Sequence, residues 1–389
     1  MTASLQSSSP QASRKILAAA GHRLPQRLQS LDVFRGLTLA AMILINNPGS
    51  HTNVYRALRH ANWNGCRAAD LIFPFFLFVV GAATQLALGG RLQAQTPLPG
   101  LLWRILRRTV LLIAIGLLLN GFPSFDWSEI RISGVLQRIA ICYAATALLV
   151  VCASPRMQVL GAVSLLALYA VLLLVVPVPG YGPGVLLPGR DLGAYLDRYI
   201  FGGREHLLFP RWDPEGLLST LPAISTTLSG VLVTGWLRSG RRRFADFLRI
   251  GLPAVVAALL LRHWLPINKS LWTPSFVLLT SGAAVLVLGL CHSLVDEQGL
   301  RRWSRPWAAL GANPIAIYVL STLVDKLLLL ASVPMPDGSA VTAKQALFHA
   351  LALHVLSPNA ASLIYALLYL LVWMALAEWL YRKGAFIRL

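Results

Sequence analysis

The chain is a succession of long apolar stretches separated by short arginine clusters, and few folds admit that pattern. The stretches cover residues 32–47, 67–88, 103–120, 134–153, 157–176, 215–237, 247–265, 274–294, 308–331 and 361–381. Most are long enough to cross ~30 Å of hydrocarbon at 1.5 Å per residue. Lipid offers no partners to backbone N–H and C=O groups, so each stretch is expected to be a helix. Composition supports this: of 389 residues, 56% are hydrophobic and 13% charged, against about 25% charged in soluble domains. The expected fold class is all-α, a polytopic membrane helix bundle of about ten transmembrane helices. Residues 31–389 form one transmembrane domain, preceded by a flexible polar tail over 1–30. The apolar run at 16–20 is too short for a signal-peptide core. A further apolar helix over 345–356 is expected at the outer interface.

The formal net charge of +19 would suit a nucleic-acid binder, but its distribution argues against one. Roughly two thirds of the 34 lysines and arginines fall in the tail and alternate loops, as the positive-inside rule requires. Both termini are therefore expected in the cytoplasm. The long connections, 48–66, 121–133, 177–214 and 333–360, fall outside and carry polar and aromatic residues, so chemistry is expected at the outer face. Cys66, Cys142, Cys152 and Cys291 form no CxxC pair and no metal-ligand spacing, so no metal is expected. The chain has no P-loop, GxGxxG, HExxH or GxSxG motif, which leaves ATP-driven transport and the familiar hydrolase triads unsupported.

Polar residues within apolar spans are costly and point to function. In LDVFRGLTLAAMILINN, Asp32 and Arg35 are three apart and can pair on one helix face. Arg35 and Asn46 share a face about three turns apart, ~16 Å along the axis. A positive-inside anchor and a helix-end Asn would give the same pattern. LRHANWNGCRAADLIFPFF places His60, Trp63 and Asn64 before Asp70. His is the side chain best suited to proton transfer near neutral pH, and Asp70 could hold its tautomer. An interfacial His and Trp of an aromatic belt is the alternative. Gln137 and Arg138 lie one turn inside the fourth span, where a buried arginine needs Asp70 or a ligand as partner. Asp213 and Glu215 at the mouth of the sixth span could receive an amine or sugar hydroxyls, or serve as N-terminal helix charges. On the inner side, Arg241, Arg242 and Arg243 could clamp phosphates or only mark topology, and Asn313 precedes Pro314.

Together, SLDVFRG, RHANWNGCRAADLIFPFFLFVVG, RISGVLQRIAICY, DPEGLLSTLPAI, LWTPSFVLLTSG and GANPIAIYVLS resemble the heparan-α-glucosaminide N-acetyltransferase family. That family includes bacterial inner-membrane members. The resemblance implies an acyl-CoA-dependent acyltransferase that takes acetyl-CoA from the cytoplasm and acetylates an amino sugar or oligosaccharide at the periplasmic face. It places the chemistry on Asn46 as oxyanion donor and His60 as general base, with Asp70 orienting His60. Asn47 and Pro48 stand where relatives often have glycines. Arg35, the Arg241–Arg243 cluster and Asn313 are then candidates for the CoA end. Trp63, Asn64, Gln137, Arg138, Asp213 and Glu215 are candidates for the acceptor end. Membrane lipid and a second copy of the chain are admitted as partners. Residues alone leave open a sugar permease of the inner membrane, or a non-catalytic envelope scaffold.

Overall fold

The computed structural model describes residues 28–93, 95–202, 206–240, 242–334, 340–352 and 357–387. The expected tail up to residue 27, and Arg241, lie outside these. Every one of the ten expected spans is helical: α1 Gln29–Asn46, α2 Ala68–Gln93, α3 Leu98–Gly121, α4 Val135–Cys152 and α5 Pro155–Val175. A short α6, Leu192–Phe201, interrupts the long fifth connection before α7 Thr220–Arg238, α8 Phe244–Leu261 and α9 Pro274–Cys291. The expected ninth span is two helices, α10 Arg301–Ala312 and α11 Pro314–Leu330, bent by 73° at Asn313. The bend follows from Pro314, which has no N–H to continue the ladder and restricts the residue before it. A two-stranded hairpin, Ser332–Pro334 with Ala340–Thr342, leads to α12 Ala343–Ala352 and α13 Pro358–Arg382.

Among the described residues, seven helices are long and apolar enough to cross a membrane, or eight if the bent pair is one span. The first and third expected spans fall outside that set. The first carries Asp32 and Arg35 at its start, and the third carries Arg104, Arg107 and Arg108. Helices α2, α4, α7 and α9 are largely buried by their neighbours, while α5 and α8 keep most of their apolar surface outward. Side chains such as Leu160, Val163, Val256 and Leu260 are exposed. In water such faces would be a liability; they suit contact with lipid.

Glycines set the two crossings that matter for the site. A Cβ on Gly36 of α1 would lie 1.8 Å from the Trp307 carbonyl oxygen, and one on Gly311 of α10 2.1 Å from that of Asp32. Likewise a Cβ on Gly81 of α2 would lie 1.8 Å from the Thr227 oxygen, and one on Gly230 of α7 1.9 Å from that of Phe78. Backbones this close need residues without side chains, the usual device for packing helices in lipid. The crossings fix α1 and α2, which with α4 line both large cavities described next.

Candidate active site

The loop between α1 and α2 is organised by one carboxylate. Asp70 sits in the first turn of α2, where the helix dipole favours negative charge. It is fully buried. Its Oδ2 accepts the backbone N–H of Arg67 at 2.9 Å and of Ala61 at 3.0 Å, and Oδ1 lies 2.7 Å from His60 Nδ1. Arg67 Nη1 donates to the His60 carbonyl at 3.0 Å. A separation of 2.7 Å between an imidazole nitrogen and a carboxylate oxygen requires a proton between them. With Asp70 ionised, Nδ1–H donates and Nε2 keeps its lone pair.

His60 and Asp70 line a cavity of about 450 Å³ together with Asn46, Trp63, Phe73, Arg131, Trp212, Glu215 and Lys269. The two adjacent asparagines divide clearly. Asn47 is buried and its Nδ2 donates to the Ile43 carbonyl at 2.7 Å, whereas Asn46 is exposed and lines the cavity. Trp63 is held by its Nε1–H to the Leu186 carbonyl at 2.8 Å and meets Trp212 edge-on at 5.0 Å. Phe209 stacks on the far side of Trp212 at 4.3 Å, completing an aromatic wall.

Charge around this cavity is paired across distant segments. Arg131 donates to both oxygens of Asp213, at 2.8 and 2.7 Å, and to Glu215 at 2.5 Å. Burial pushes the Asp213 carboxyl up, but the Arg131 hydrogen bonds hold it below its ordinary value. Lys269 comes from the connection between α8 and α9. That connection is docked on the His60 loop: Gly65 N donates to the Ile267 carbonyl at 2.7 Å, and Asn268 Nδ2 to Asn64 Oδ1 at 3.0 Å. The Lys269 Nζ then stands 3.1 Å from His60 Nδ1 and 3.7 Å from Asp70 Oδ1.

A second cavity of about 520 Å³ lies further along α1 and α2, lined by Arg35, Arg91, Arg104, Arg107 and Arg108 with Tyr143. Its far side is the break between α10 and α11, through Ala312, Pro314 and Ile315. Phe73 lines the first cavity and Phe76, one turn on, the second. Arg35 Nη1 donates to the Gly311 carbonyl at 3.2 Å and lies 3.4 Å from Asp32 Oδ1, the pairing expected from their spacing. Arg108 lies over the Tyr143 ring, 4.5 Å from its centre. Five guanidinium groups in one concavity make a strong site for phosphates.

The expected residues are distributed as follows. His60, Asn46, Asp70, Trp63 and Glu215 converge on the first cavity, and Arg35 reaches the second. Arg242 and Arg243 are not brought to it. Arg242 covers the Trp236 ring and bonds Ser239 Oγ at 2.8 Å, while Arg243 N donates to Asp246 Oδ2 at 2.9 Å at the start of α8. Asn313 is buried and clamps the C-terminal segment, donating to the Ala385 carbonyl at 2.9 Å and accepting from Ile387 N at 2.8 Å. Through Ile387 it shapes the second cavity without lining it. Asn64 is spent on Asn268, and Gln137 packs its carbonyl oxygen against Gly116 and Gly134. Arg138 does not meet Asp70: it donates to the Gly216 carbonyl at 2.9 Å and to Ser219 Oγ, and faces Trp272. Asp213 and Glu215 share the single guanidinium of Arg131. Sequence reasoning missed Arg131, Lys269, Trp212 and the arginines of α2 and α3. Lys269 had one signal, its place two residues before the LWTP motif on a short connection.

Residues 27–187 match the family model described as the catalytic region of heparan-α-glucosaminide N-acetyltransferase. Among curated proteins, the human heparan-α-glucosaminide N-acetyltransferase is 32% identical over 355 residues, covering 76% of this chain and 53% of the relative. The mouse protein of the same name is 31% identical over 352 residues, covering 75% and 53%. The chain thus spans about half the length of the curated relatives it matches.

Proposed function

We propose, from the match of residues 27–187 to the heparan-α-glucosaminide N-acetyltransferase catalytic model, that the chain is a transmembrane acetyltransferase. It takes acetyl-CoA from the cytoplasmic side and acetylates an amino sugar, of glucosamine or N-acetylglucosamine type, at the periplasmic face of a bacterial inner membrane. The observation that carries this reading is the pairing of two cavities along one helix. Arg35 serves a phosphate-binding concavity, and Asn46 serves a cavity holding the His60–Asp70 pair. The ~16 Å between them along α1 matches an extended pantetheine arm, with the ADP phosphates among the arginines and the thioester beside His60.

In this mechanism the acceptor's amine, or a hydroxyl where the nitrogen is already acetylated, attacks the thioester carbonyl carbon while His60 Nε2 takes the proton that the nucleophile loses. The developing oxyanion is met by the Asn46 amide N–H, a contribution of a few kcal/mol in comparable sites. As the C–S bond breaks, His60 returns the proton to the departing thiolate. Asp70 fixes His60 through Nδ1 and balances the imidazolium that forms. Trp63 and Trp212 offer a face for the apolar side of a pyranose ring. The tail before α1 stays on the cytoplasmic side with the C-terminus.

The test uses the full chain in sealed proteoliposomes, with radiolabelled acetyl-CoA on one side and glucosamine or N-acetylglucosamine on the other. Label on the sugar with wild type, and none with His60→Ala, is the expected result. Sugar crossing unmodified with both proteins alike would instead identify a permease.

A further inference from the structure

We propose that Lys269 is a positioning residue: its ammonium holds the negative charge on Asp70, which keeps the His60 proton on Nδ1 and leaves Nε2 free to act as base. This deepens the acetyltransferase reading and rests on it for the role of Nε2. The argument begins with the 2.7 Å between His60 Nδ1 and Asp70 Oδ1, which has room for one proton and can be filled in two ways. In the first, Asp70 is a carboxylate and Nδ1–H donates to it. In the second, Asp70 has gained a proton, its O–H donates to Nδ1, and the remaining ring proton moves to Nε2. The two arrangements differ by one proton taken up from solvent. The second fills the lone pair that must accept the acceptor's proton.

Asp70 is fully buried, so its charge must be stabilised by what surrounds it. Two backbone N–H groups, of Ala61 and Arg67, serve Oδ2. Among the described residues Lys269 is the charged group at Oδ1, with Nζ at 3.7 Å and 3.1 Å from Nδ1. Nδ1 cannot donate to Asp70 and accept from Lys269 at once, so the ammonium acts on the pair through its charge. The groups facing Lys269 are Asp70, Glu215, Cys66 and His60. Burial draws the Lys269 ammonium below its ordinary value, and Asp70 and Glu215 oppose that pull. Glu215 has Arg131 as its bonded partner, and Asp70 is the carboxylate within ion-pair distance of Lys269, at 3.7 Å.

The lysine is held in place by its own segment. Asn268 is buried, takes Leu271 N at 2.9 Å on Oδ1 and donates to Asn64. Trp272, three residues after Lys269, has a φ of +53°, a backbone conformation that aromatic residues rarely adopt. The same turn lets Trp272 Nε1 reach Thr226 Oγ1 at 3.1 Å. The connection is therefore built to present residue 269 to the His60 loop.

The experiment compares wild type with Lys269→Met, Lys269→Gln and Lys269→Arg, each as the full chain in lipid nanodiscs. One readout is independent of turnover: the histidine ¹⁵N spectrum, with His60→Ala used to assign the His60 signals. Wild type and Lys269→Arg are expected to show Nδ1–H at pH 7, and the Met and Gln variants to show Nε2–H. The second readout is acetyl transfer to glucosamine. The neutral variants are expected to lose roughly tenfold or more in kcat, with KM for the sugar nearly unchanged, the acid limb of the profile moved to higher pH, and recovery with Arg. An unchanged tautomer in a folded neutral variant would overturn the proposal, as would a loss confined to KM. Should wild type transfer no acetyl group, the functional reading fails while the tautomer still decides the role of Lys269.

Discussion

Arg35 and Asn46 stand on one helix, eleven residues apart, and open into different cavities. Their neighbour Asn47 points away and caps its own helix on Ile43. Asn46→Ala is therefore expected to lower kcat by ~10²–10³, the usual result of losing one oxyanion donor, with the unfolding midpoint unmoved. Asn47→Ala is expected to do the reverse, leaving kcat near wild type and costing ~1 kcal/mol of stability for one hydrogen bond. Steady-state kinetics and thermal unfolding in detergent, run on both variants, separate the two; equal kcat losses would remove Asn46 from the chemistry.

The arginine-lined cavity makes a prediction about binding alone. Arg107→Ala, at the mouth formed by α3, should weaken CoA by roughly tenfold, the size of one charge-assisted hydrogen bond. Arg242→Ala should leave CoA binding unchanged, because that side chain is committed to Trp236 and Ser239. Calorimetric titration with CoA, which needs no acceptor, gives both values. Comparable losses in the two variants would return the phosphate site to the 241–243 cluster.

Arg131 is a cation shared by two carboxylates whose side chains are 0% and 9% exposed. Removing it strands both, so Arg131→Met is expected to destabilise by ~3–5 kcal/mol, as breaking a buried pair does. Neutralising the partners in the same chain, with Asp213→Asn and Glu215→Gln, should recover much of that loss, since no charge is then left unpaired. Thermal unfolding of the single and triple variants is the measurement. A triple variant no better than Arg131→Met would mean that Arg131 matters through packing rather than charge.

Much of the fold was legible because each helix announces itself locally. A stretch of sixteen or more apolar residues has one way to satisfy its backbone in lipid, whatever its neighbours do. The His60–Asp70 pair was legible for a related reason: both partners lie in one loop and the first turn after it, so their meeting depends on ten residues of chain. The bend at Asn313 was not foreseen, although Pro314 marks it. The remaining site residues form pairs across long separations. Lys269 meets His60 across 209 positions, and Arg131 meets Asp213 across 82. Nothing in the hydropathy of either segment encodes such a contact. The SGRRRF run misled because density along the chain is not convergence in space. The cavity draws one arginine from α1, one from α2 and three from α3.

Behind the aromatic wall, Trp63 and Trp212 also face a small space lined by Asp191, Asp197 and Asp213. Asp197 accepts the Leu217 N–H at 2.9 Å. Burial, joined by the charges of Asp213 and Asp191, pushes its carboxyl up to about 7, while the Leu217 N–H and Arg138 pull the other way. The sign of the consequence is fixed: a group whose pKa is higher folded than unfolded binds more protons in the folded state. Its contribution to stability is full below about pH 4, declines as pH rises toward 7 and is lost above it. Asp197→Asn keeps an acceptor for Leu217 and cannot ionise. The variant should therefore gain stability relative to wild type steadily from about pH 4 to 7, with no further gain above that range. Unfolding midpoints of both proteins across that range test this through their difference, which cancels the other titrating groups. A difference that does not change with pH would show that the Asp197 carboxyl titrates alike in the folded and unfolded chain.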